Sequence, residues 1–365
     1  MHVFSIWRHI VFSSSKGCRV EGGGGDGSSS SSFSIPERCT VAQAQKLGVA
    51  GLENTRIKKY CFLIAALQVI FSMDTLVKDI QSYVCKCKSQ KLCALFCTQG
   101  ILEFMSQSNM EKAVLSRIMK LGVILITKFP KEFSKDDDGH ISYGNASSAF
   151  ECLFNLYHSC VAGCGSELVS RSRSICEVNG CFAHSTCGLS LKKFVKCSEC
   201  GISAVDNAFI SYTAFPLAEK SVESLIAFSK LYNSQSNASI SLSFESALRG
   251  AILVAKSPFN DLRAANLCAL CSPDSQDGGY SMSSIGTFVN LSFSSLFLEE
   301  TPLRVEFLEL QKILPMSIDF SALFDLAWVI PSPRRYLRSI LFYGCSHFVV
   351  ARHLSDDSWV FLDDD

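Results

Sequence analysis

Two Cys-x-x-Cys pairs are the most informative chemical motifs of this sequence: Cys197-Ser-Glu-Cys200 and Cys268-Ala-Leu-Cys271. Each pair can supply two adjacent thiolate corners of a tetrahedral site, so the four cysteines together fit one structural Zn²⁺. The long separation between the pairs argues against a sequence-local zinc finger and favours a zinc ribbon with a large insertion. The alternatives are four unrelated buried cysteines or a redox dithiol. The dithiol is disfavoured because no thioredoxin-like βαβ pattern surrounds either pair.

A second candidate metal group precedes the first pair. Cys176, Cys181 and His184 have the spacing Cys-x4-Cys-x2-His, and Cys187 follows them. These residues predict the ligands of a second Zn²⁺ whose fourth ligand is open. An equally acceptable interpretation is a cysteine-rich loop that carries one surface histidine.

Four further cysteines lie close together in the sequence, at Cys85, Cys87, Cys93 and Cys97. Metal binding is one interpretation. Because Cys93 and Cys97 are four residues apart, they share one face of a helix, and apolar packing is the commoner role for such a pair. We therefore predict core packing for them and leave all four out of the metal sites.

Cys61 is the candidate nucleophile, since it follows a polar segment and opens an apolar helical pattern. At a helix N-terminus, the backbone dipole and the neighbouring Lys58 and Lys59 would favour the reactive thiolate. A thiolate nucleophile also needs an imidazole base and a group that orients it. His347 at the start of a predicted strand and Asp363 just after another are the candidates. Taken alone these residue types are weak evidence, because the chain has 18 cysteines and 7 histidines.

Composition limits the classes of function that are open to this chain. It has 365 residues, of which 48% are hydrophobic, and 34 basic residues balance 34 acidic ones. A wholly disordered chain is excluded, and zero net charge disfavours a globally basic nucleic-acid binder. The N-terminal stretch lacks a convincing signal peptide, so we expect reduced cysteines and a cytoplasmic or nuclear location. The longest apolar runs fall short of the roughly 20 residues of a membrane span, so we predict none.

Hydrophobic periodicity predicts a helical first part and a strand-rich second part. Residues 1–45 contain a Gly/Ser run and are predicted to form a disordered tail. A 3.6-residue period predicts helices over 61–80, 92–105, 111–126 and 147–158. Short apolar runs predict strands over 209–215, 239–244, 287–293, 304–307, 338–343, 347–352 and 359–362, the last three as an antiparallel meander. The sequence therefore predicts an α+β fold.

Several motifs, in order along the chain, resemble those of the ubiquitin-specific protease family. Gly51-Leu-Glu-Asn54 and Cys61-Phe-Leu-Ile-Ala-Ala-Leu-Gln68 resemble the family's Cys box. Tyr343-Gly-Cys-Ser-His347 and Trp359-Val-Phe-Leu-Asp363 resemble its His box. Between these boxes, Ser148-Ala-Phe-Glu151 is similar to a family helix, and the two Cys-x-x-Cys pairs are similar to its zinc-binding fingers. The resemblance spans 51–365 and is closest to a divergent branch, several members of which are regarded as catalytically inactive.

This resemblance implies the papain-like cysteine peptidase fold for a domain over 46–365. Within it we expect a helical thumb over about 51–160, zinc-binding fingers over about 170–290, and an antiparallel β palm over about 290–365 with an apparently truncated C-terminus. The implied activity is hydrolysis of the isopeptide bond after the ubiquitin C-terminal glycine, and the implied cofactor is structural Zn²⁺.

The resemblance also implies a role for each candidate residue. Cys61 would be the nucleophile, His347 the general base, and Asp363 the residue that orients the imidazole. Asn54 would donate a hydrogen bond to the oxyanion, and Glu151 would lie beside the channel for the ubiquitin tail. We expect ubiquitin or ubiquitinated proteins as partners, and neither nucleic acid nor membrane.

Two other functions are compatible with the sequence. Ile64 near the nucleophile, Ser148 in place of an aspartate and Ser346 before the histidine differ from the family pattern and favour a ubiquitin-binding pseudoenzyme of the same fold. The other candidate is a zinc-ribbon nucleic-acid module, for which the lysine-rich segment 192–196 is the only hint. A solvated strand face explains that segment more simply.

Overall fold

Helices form where the sequence has the 3.6-residue apolar period. The computed structural model describes residues 6–13, 60–85, 87, 92–105, 111–135, 137, 141–162, 181–201, 203–205, 209–211, 276–292, 316–322, 325–326, 334–344, 347–353 and 359–363. Its helices are α1 (Cys61–Phe71), α2 (Asp74–Ser82), α3 (Ala94–Met105), α4 (Glu111–Lys128), α5 (Ala146–Ala162) and α6 (Phe182–Cys187). The helices predicted over 92–105, 111–126 and 147–158 are confirmed as α3, α4 and α5.

The prediction of a single helix over 61–80 is wrong, because the chain bends by 96° between α1 and α2. The hydroxyl of Ser72 donates to the carbonyl of Val69 at 2.6 Å. Such a side-chain bond competes with the backbone ladder of the helix. Met73 then leaves the helical conformation, with φ −99° and ψ 84°. The apolar period continues across the bend because both helices contribute to the same core.

Helix α1 lies at the centre of the helical part. Every residue from Phe62 to Phe71 is buried, and Cys61 at the N-terminus is half-buried. A helix that is apolar on every side has to be covered on every side. It packs against α5 and against the strand β12 (His347–His353).

Among the described residues, no single helix is both long and apolar enough to cross a bilayer. The bent pair α1 and α2 has the required length and composition only when the two helices are taken together.

The strands occupy much of the second part, as predicted. They are β1 (Ile6–Ser13), β2 (Ser134–Lys135), β3 (Ile141–Tyr143), β4 (Leu189–Cys197), β5 (Ser203–Val205), β6 (Phe209–Ser211), β7 (Gln276–Ile285), β8 (Phe288–Ser292), β9 (Ser317–Asp319), β10 (Asp325–Leu326), β11 (Arg334–Gly344), β12 and β13 (Trp359–Asp363). The last three confirm the predicted antiparallel meander. The strands predicted over 209–215 and 287–293 appear as the shorter β6 and β8, whereas those over 239–244 and 304–307 lie outside the described residues.

The larger sheet has the strand order β13-β12-β11-β1-β8, with β9 also paired to β11. The prediction of a disordered tail over 1–45 does not hold for Ile6–Ser13, which pairs antiparallel with both β11 and β8. The Gly/Ser run dominates the local composition. A strand of this length is stabilised by long-range pairing on both edges, which composition does not reveal. The remainder of 1–45 lies outside the described residues.

A second sheet has the order β10-β7-β4-β5, with β6 also paired to β4. Its strands pair antiparallel except for β7 and β10. Strands β4 and β7 pair along their whole length, from Leu189 opposite Ile285 to Cys197 opposite Gln276. The mixture of helices with antiparallel sheets confirms the α+β class.

One hydrophobic core joins the helical part to one face of the larger sheet. Its members on α1 pack in the same cluster as Phe348 and Val350 of β12 and Val360 and Leu362 of β13. The core therefore fixes the position of α1 on the C-terminal meander.

Candidate functional site

Cys61 is the first residue of α1 and the only part of that helix that is not fully buried. Tyr60 before it is buried, with 1% of its surface exposed. No acidic side chain lies in the first turn of α1. The position combines a rigid backbone with partial access for a substrate.

Two polar contacts join the bend after α1 to the meander. The hydroxyls of Ser72 and Ser339 on β11 lie 3.3 Å apart in a buried setting. At the start of α2, Asp74 Oδ1 accepts a hydrogen bond from Arg352 Nη2 on β12 at 3.2 Å. Together with the shared apolar core, these contacts hold the helix that carries Cys61 on the strand that begins at His347.

Backbone register relates the two other predicted catalytic residues. His347 is the first residue of β12 and lies opposite Gly344. Asp363 is the last residue of β13 and lies opposite Val349. Residues two apart on a strand belong to one face, as do directly opposed residues. Positions 347, 349 and 363 therefore lie on one face of the meander, at neighbouring strand ends, and this face is opposite to the one that packs with α1 in the shared core.

The structure describes only one of the two residues predicted to contact the oxyanion and the ubiquitin tail. Asn54 lies outside the described residues. Glu151 is half-buried on α5. One turn earlier on α5, the hydroxyl of Ser148 donates to Glu132 Oε2 at 3.4 Å. The serine that replaces the family aspartate thus contacts a residue of this chain.

The first Cys-x-x-Cys pair lies at the end of a strand. Cys197 is the last residue of β4 and is buried, whereas Cys200 is exposed in the turn that follows. Gly201 has φ +73° and donates its backbone N–H to the Cys197 carbonyl at 3.0 Å. Only glycine enters that left-handed region at little cost, which explains why glycine follows the pair. The predicted partners Cys268 and Cys271 lie outside the described residues.

The second predicted metal group is brought together in part, with one residue that the sequence analysis missed. The Sγ atom of Cys181 lies 3.4 Å from Nδ1 of His158, and the rings of His158 and His184 have centroids 4.5 Å apart. One candidate ligand atom from each of the three residues lies within 4.8 Å of the others. Cys176 lies outside the described residues.

The imidazoles of this group are disposed to remain neutral. Burial lowers the pKa of His158. Burial, and then the neighbouring His158, lower the pKa of His184 to about 4. Neutral imidazole and thiolate are the ligand types that zinc takes, so His158, Cys181 and His184 fit three corners of a Zn²⁺ site.

A further cluster gathers cysteines that the sequence analysis left out of the metal sites. Cys85 and Cys93 have Sγ atoms 3.3 Å apart, and Cys93 and Cys160 have Sγ atoms 3.4 Å apart. The core role predicted for Cys97 agrees with its complete burial on α3. Cys93 immediately precedes the helix, but its carbonyl accepts the backbone N–H of Cys97 at 3.0 Å and both side chains are buried in the same core.

Comparison with known proteins finds similar chains among solved structures. No family model matches it, and no match is found among curated proteins. A chain from a structure of the SAGA DUB module Ubp8/Sgf11/Sus1/Sgf73 bound to monoubiquitin matches with 11% identity and a TM-score of 0.49, over 91% of this chain and 66% of that one. A chain from the module bound to ubiquitin aldehyde matches with 11% identity and a TM-score of 0.48, over 87% and 64%.

A chain from the yeast module matches with 12% identity and a TM-score of 0.45, over 87% of this chain and 63% of that one. The present chain thus spans less than two thirds of the length of these matched chains. At such identities, TM-scores below 0.5 assign neither a fold family nor a function to this chain.

Proposed function

We propose that this chain is a cysteine-type deubiquitinase of the papain-like fold that hydrolyses the isopeptide bond after the ubiquitin C-terminal glycine. The observation that carries the proposal is the relation of three positions. Cys61 opens a buried helix that packs on β12. His347 begins β12, and Asp363 lies opposite Val349 on the face to which position 347 belongs. The three groups of such a triad must come within hydrogen-bond reach of one another, so we propose that His347 reaches Cys61 from the end of β12 at which the strand begins.

The proposed chemistry gives each residue a defined role. The Cys61 thiolate attacks the carbonyl carbon of the terminal glycine, and His347 gives its proton to the leaving lysine amine. A water molecule, deprotonated by His347, then hydrolyses the thioester and releases the ubiquitin carboxylate and the thiol. Asp363 orients the imidazole. Asn54 donates to the oxyanion, and Glu151 lies along the channel for the ubiquitin tail.

Structural zinc belongs to the same proposal. Cys197, Cys200, Cys268 and Cys271 would hold one Zn²⁺ in the fingers, and the turn at Gly201 supports the first pair. Cys176, Cys181 and His184 would hold a second, with His158 as the ligand that completes the set. Thiolate ligands and a thiolate nucleophile both require reduced cysteine, so we propose a location in the cytoplasm or nucleus. The expectation that all cysteines are reduced does not hold for Cys87, which is disulfide-bonded in this structure.

A second candidate function is a ubiquitin-binding pseudoenzyme of the same fold. It is favoured by the contact between Ser148 and Glu132, because a serine engaged within the chain replaces a carboxylate that would hold the basic ubiquitin tail. In this case ubiquitin would bind without turnover.

Covalent labelling with a ubiquitin probe that carries a C-terminal electrophile tests the proposal, read by intact mass on the zinc-loaded protein. We expect one adduct on the wild type, none on Cys61→Ala, and one on the control Cys152→Ala, a buried cysteine of α5. An unlabelled wild type that still binds unmodified ubiquitin by calorimetry would support the pseudoenzyme. If the wild type is not labelled and does not bind ubiquitin, both the deubiquitinase and the pseudoenzyme proposals are overturned.

A further inference from the structure

The cysteine cluster lies where three segments of the helical part meet. Cys85 follows α2, Cys93 immediately precedes α3, and Cys160 lies in the last turn of α5. Cys93 and Cys160 are buried, at 3% and 6% exposure, and Cys85 is half-buried. Residues far apart in the sequence thus place three thiols at one point inside the fold.

The distances within the cluster fit coordination rather than disulfide bonding. The Sγ atoms of Cys85 and Cys93 are 3.3 Å apart, and those of Cys93 and Cys160 are 3.4 Å apart. A disulfide needs about 2.05 Å, and these three cysteines are free. Zinc–sulfur bonds of about 2.3 Å in a tetrahedron separate neighbouring sulfur atoms by roughly 3.8 Å. Small outward movements would reach that geometry.

Backbone donors surround the sulfur atoms. The N–H of Phe96 donates to Cys93 Sγ at 3.4 Å. The backbone N–H groups of Leu95 and Cys87 lie near the sulfur atoms of Cys160 and Cys85. Donors of this kind orient metal-bound thiolates and stabilise their negative charge.

A fourth sulfur atom lies at the same point. Cys87 Sγ is 3.7 Å from Cys160 Sγ, and one ligand atom each from Cys85, Cys87 and Cys93 lies within 4.8 Å of the others. Cys87 is disulfide-bonded in this structure. It can act as a thiolate only after a reductant, such as a thiol or a phosphine, has cleaved that bond.

We propose that Cys85, Cys93 and Cys160 bind one Zn²⁺ as thiolates, with Cys87 as the fourth ligand in the reduced protein. Each thiol that binds releases its proton to solvent. A four-sulfur tetrahedral set selects zinc among the common divalent ions and leaves no open position for substrate. The site is therefore structural, and it joins the ends of α2, α3 and α5. It depends neither on the deubiquitinase proposal nor on either zinc site named with it.

This site is separate from the group around His158, although both use the end of α5. Tyr83 lies between them, with its hydroxyl donating to the Cys160 carbonyl at 3.4 Å and its ring against Phe182. Phe182 is the neighbour of Cys181, so each group keeps its own ligands. Loss of one metal should leave the other site loaded.

Metal analysis of the full chain, purified with a phosphine reductant, tests the proposal. The zinc content of the wild type, Cys93→Ser and the control Cys97→Ser is measured by mass spectrometry. Cys97 is as buried as Cys93 but lies one turn into α3. We expect Cys93→Ser to lose one equivalent of zinc, and Cys97→Ser to lose none. Equal zinc in all three proteins would overturn the site.

A second measurement needs no variant and so does not depend on whether Cys93→Ser folds. Alkylation of the wild type is mapped by peptide mass spectrometry before and after treatment with a chelator. Cys85, Cys93 and Cys160 should become reactive together when zinc is removed, with Cys87 joining them under reductant and Cys97 unchanged. Reactivity of Cys85 and Cys160 that is independent of the chelator contradicts the proposal. If the chelator exposes Cys85, Cys93 and Cys160 to alkylation but does not change the alkylation of Cys87, the metal has three protein ligands.

Discussion

Two cysteine groups, one in the strand-rich part and one in the helical part, are assembled in different ways. Cys197 and Cys200 are brought together by a single turn that ends β4, and Gly201 makes that turn possible. Cys85, Cys93 and Cys160 meet because three helix ends converge. The first group is exposed at one cysteine, whereas the second lies beside the hydrophobic core. The geometry of the first group therefore depends on one turn, whereas the geometry of the second group depends on the packing of the whole helical part.

The largest effect should come from the core that assembles the second group. Phe150 is 1% exposed, and its ring centroid lies 4.8 Å from that of Phe154. Phe150→Ala should lower the free energy of unfolding by about 3–5 kcal/mol, because it removes apolar contacts and leaves a cavity. Denaturant unfolding followed by circular dichroism measures this. The control Val123→Ala, at a side chain that is 42% exposed, should change stability by less than about 0.5 kcal/mol.

The next effect compares the two cysteine groups directly. Cys93→Ser should destabilise the protein by about 3 kcal/mol, because it places a hydroxyl at a buried position and removes a proposed metal ligand. Cys200→Ser, at an exposed turn, should cost less, about 1–2 kcal/mol, because it also removes a proposed metal ligand but leaves the new hydroxyl in contact with solvent. Thermal unfolding of both variants in zinc-containing buffer provides the comparison. Equal losses would mean that local and packed groups contribute alike to global stability.

A smaller effect is expected from the turn of the first group. Gly201→Ala should cost about 1–2 kcal/mol, since its φ of +73° is unfavourable for any residue with a Cβ. No atom lies within 4 Å of the position that the new methyl group would take, so the cost is conformational and not steric. Gly201→Asn, which tolerates this region better, should recover part of the loss in the same denaturant titration.

The smallest effect should come from the ion pair that links the two parts. Asp74 is 73% exposed at its side chain and Arg352 is 16% exposed. Asp74→Asn should reduce stability by less than about 1 kcal/mol, because a partly exposed pair is screened by solvent. A double-mutant cycle with Arg352→Gln isolates the interaction. A coupling well above that value would show that the helical part and the meander are held together electrostatically as well as by the shared core.

Hydrophobic periodicity predicted which helices and strands exist better than it predicted the residues at which they begin and end. The apolar period identified α3, α4 and α5, and the alternating runs identified the meander of β11, β12 and β13. It also predicted one helix where α1 and α2 are separate, because a hydrophobic period does not register a hydroxyl that bonds a backbone carbonyl at Ser72. The strand Ile6–Ser13 was missed because its stability comes from partners hundreds of residues away in the sequence.

Candidate ligands were predictable to the extent that they are local. The Cys-x4-Cys-x2-His spacing indicated Cys181 and His184, which do lie together. His158 has no sequence spacing to them and joins them only because α5 packs against α6. The catalytic roles of Cys61, His347 and Asp363 remain predictions, as do those of Asn54 and Glu151.

The sequence by itself determined the α+β class, most helices, the C-terminal meander, and the pairs of cysteines that a few residues separate. Each of these follows from backbone periodicity or from turn chemistry within a short segment. Tertiary structure alone decided that β1 lies inside the larger sheet and that Cys85, Cys93 and Cys160 meet. These outcomes depend on which distant surfaces bury one another, and the free energy of that burial is a property of the assembled core.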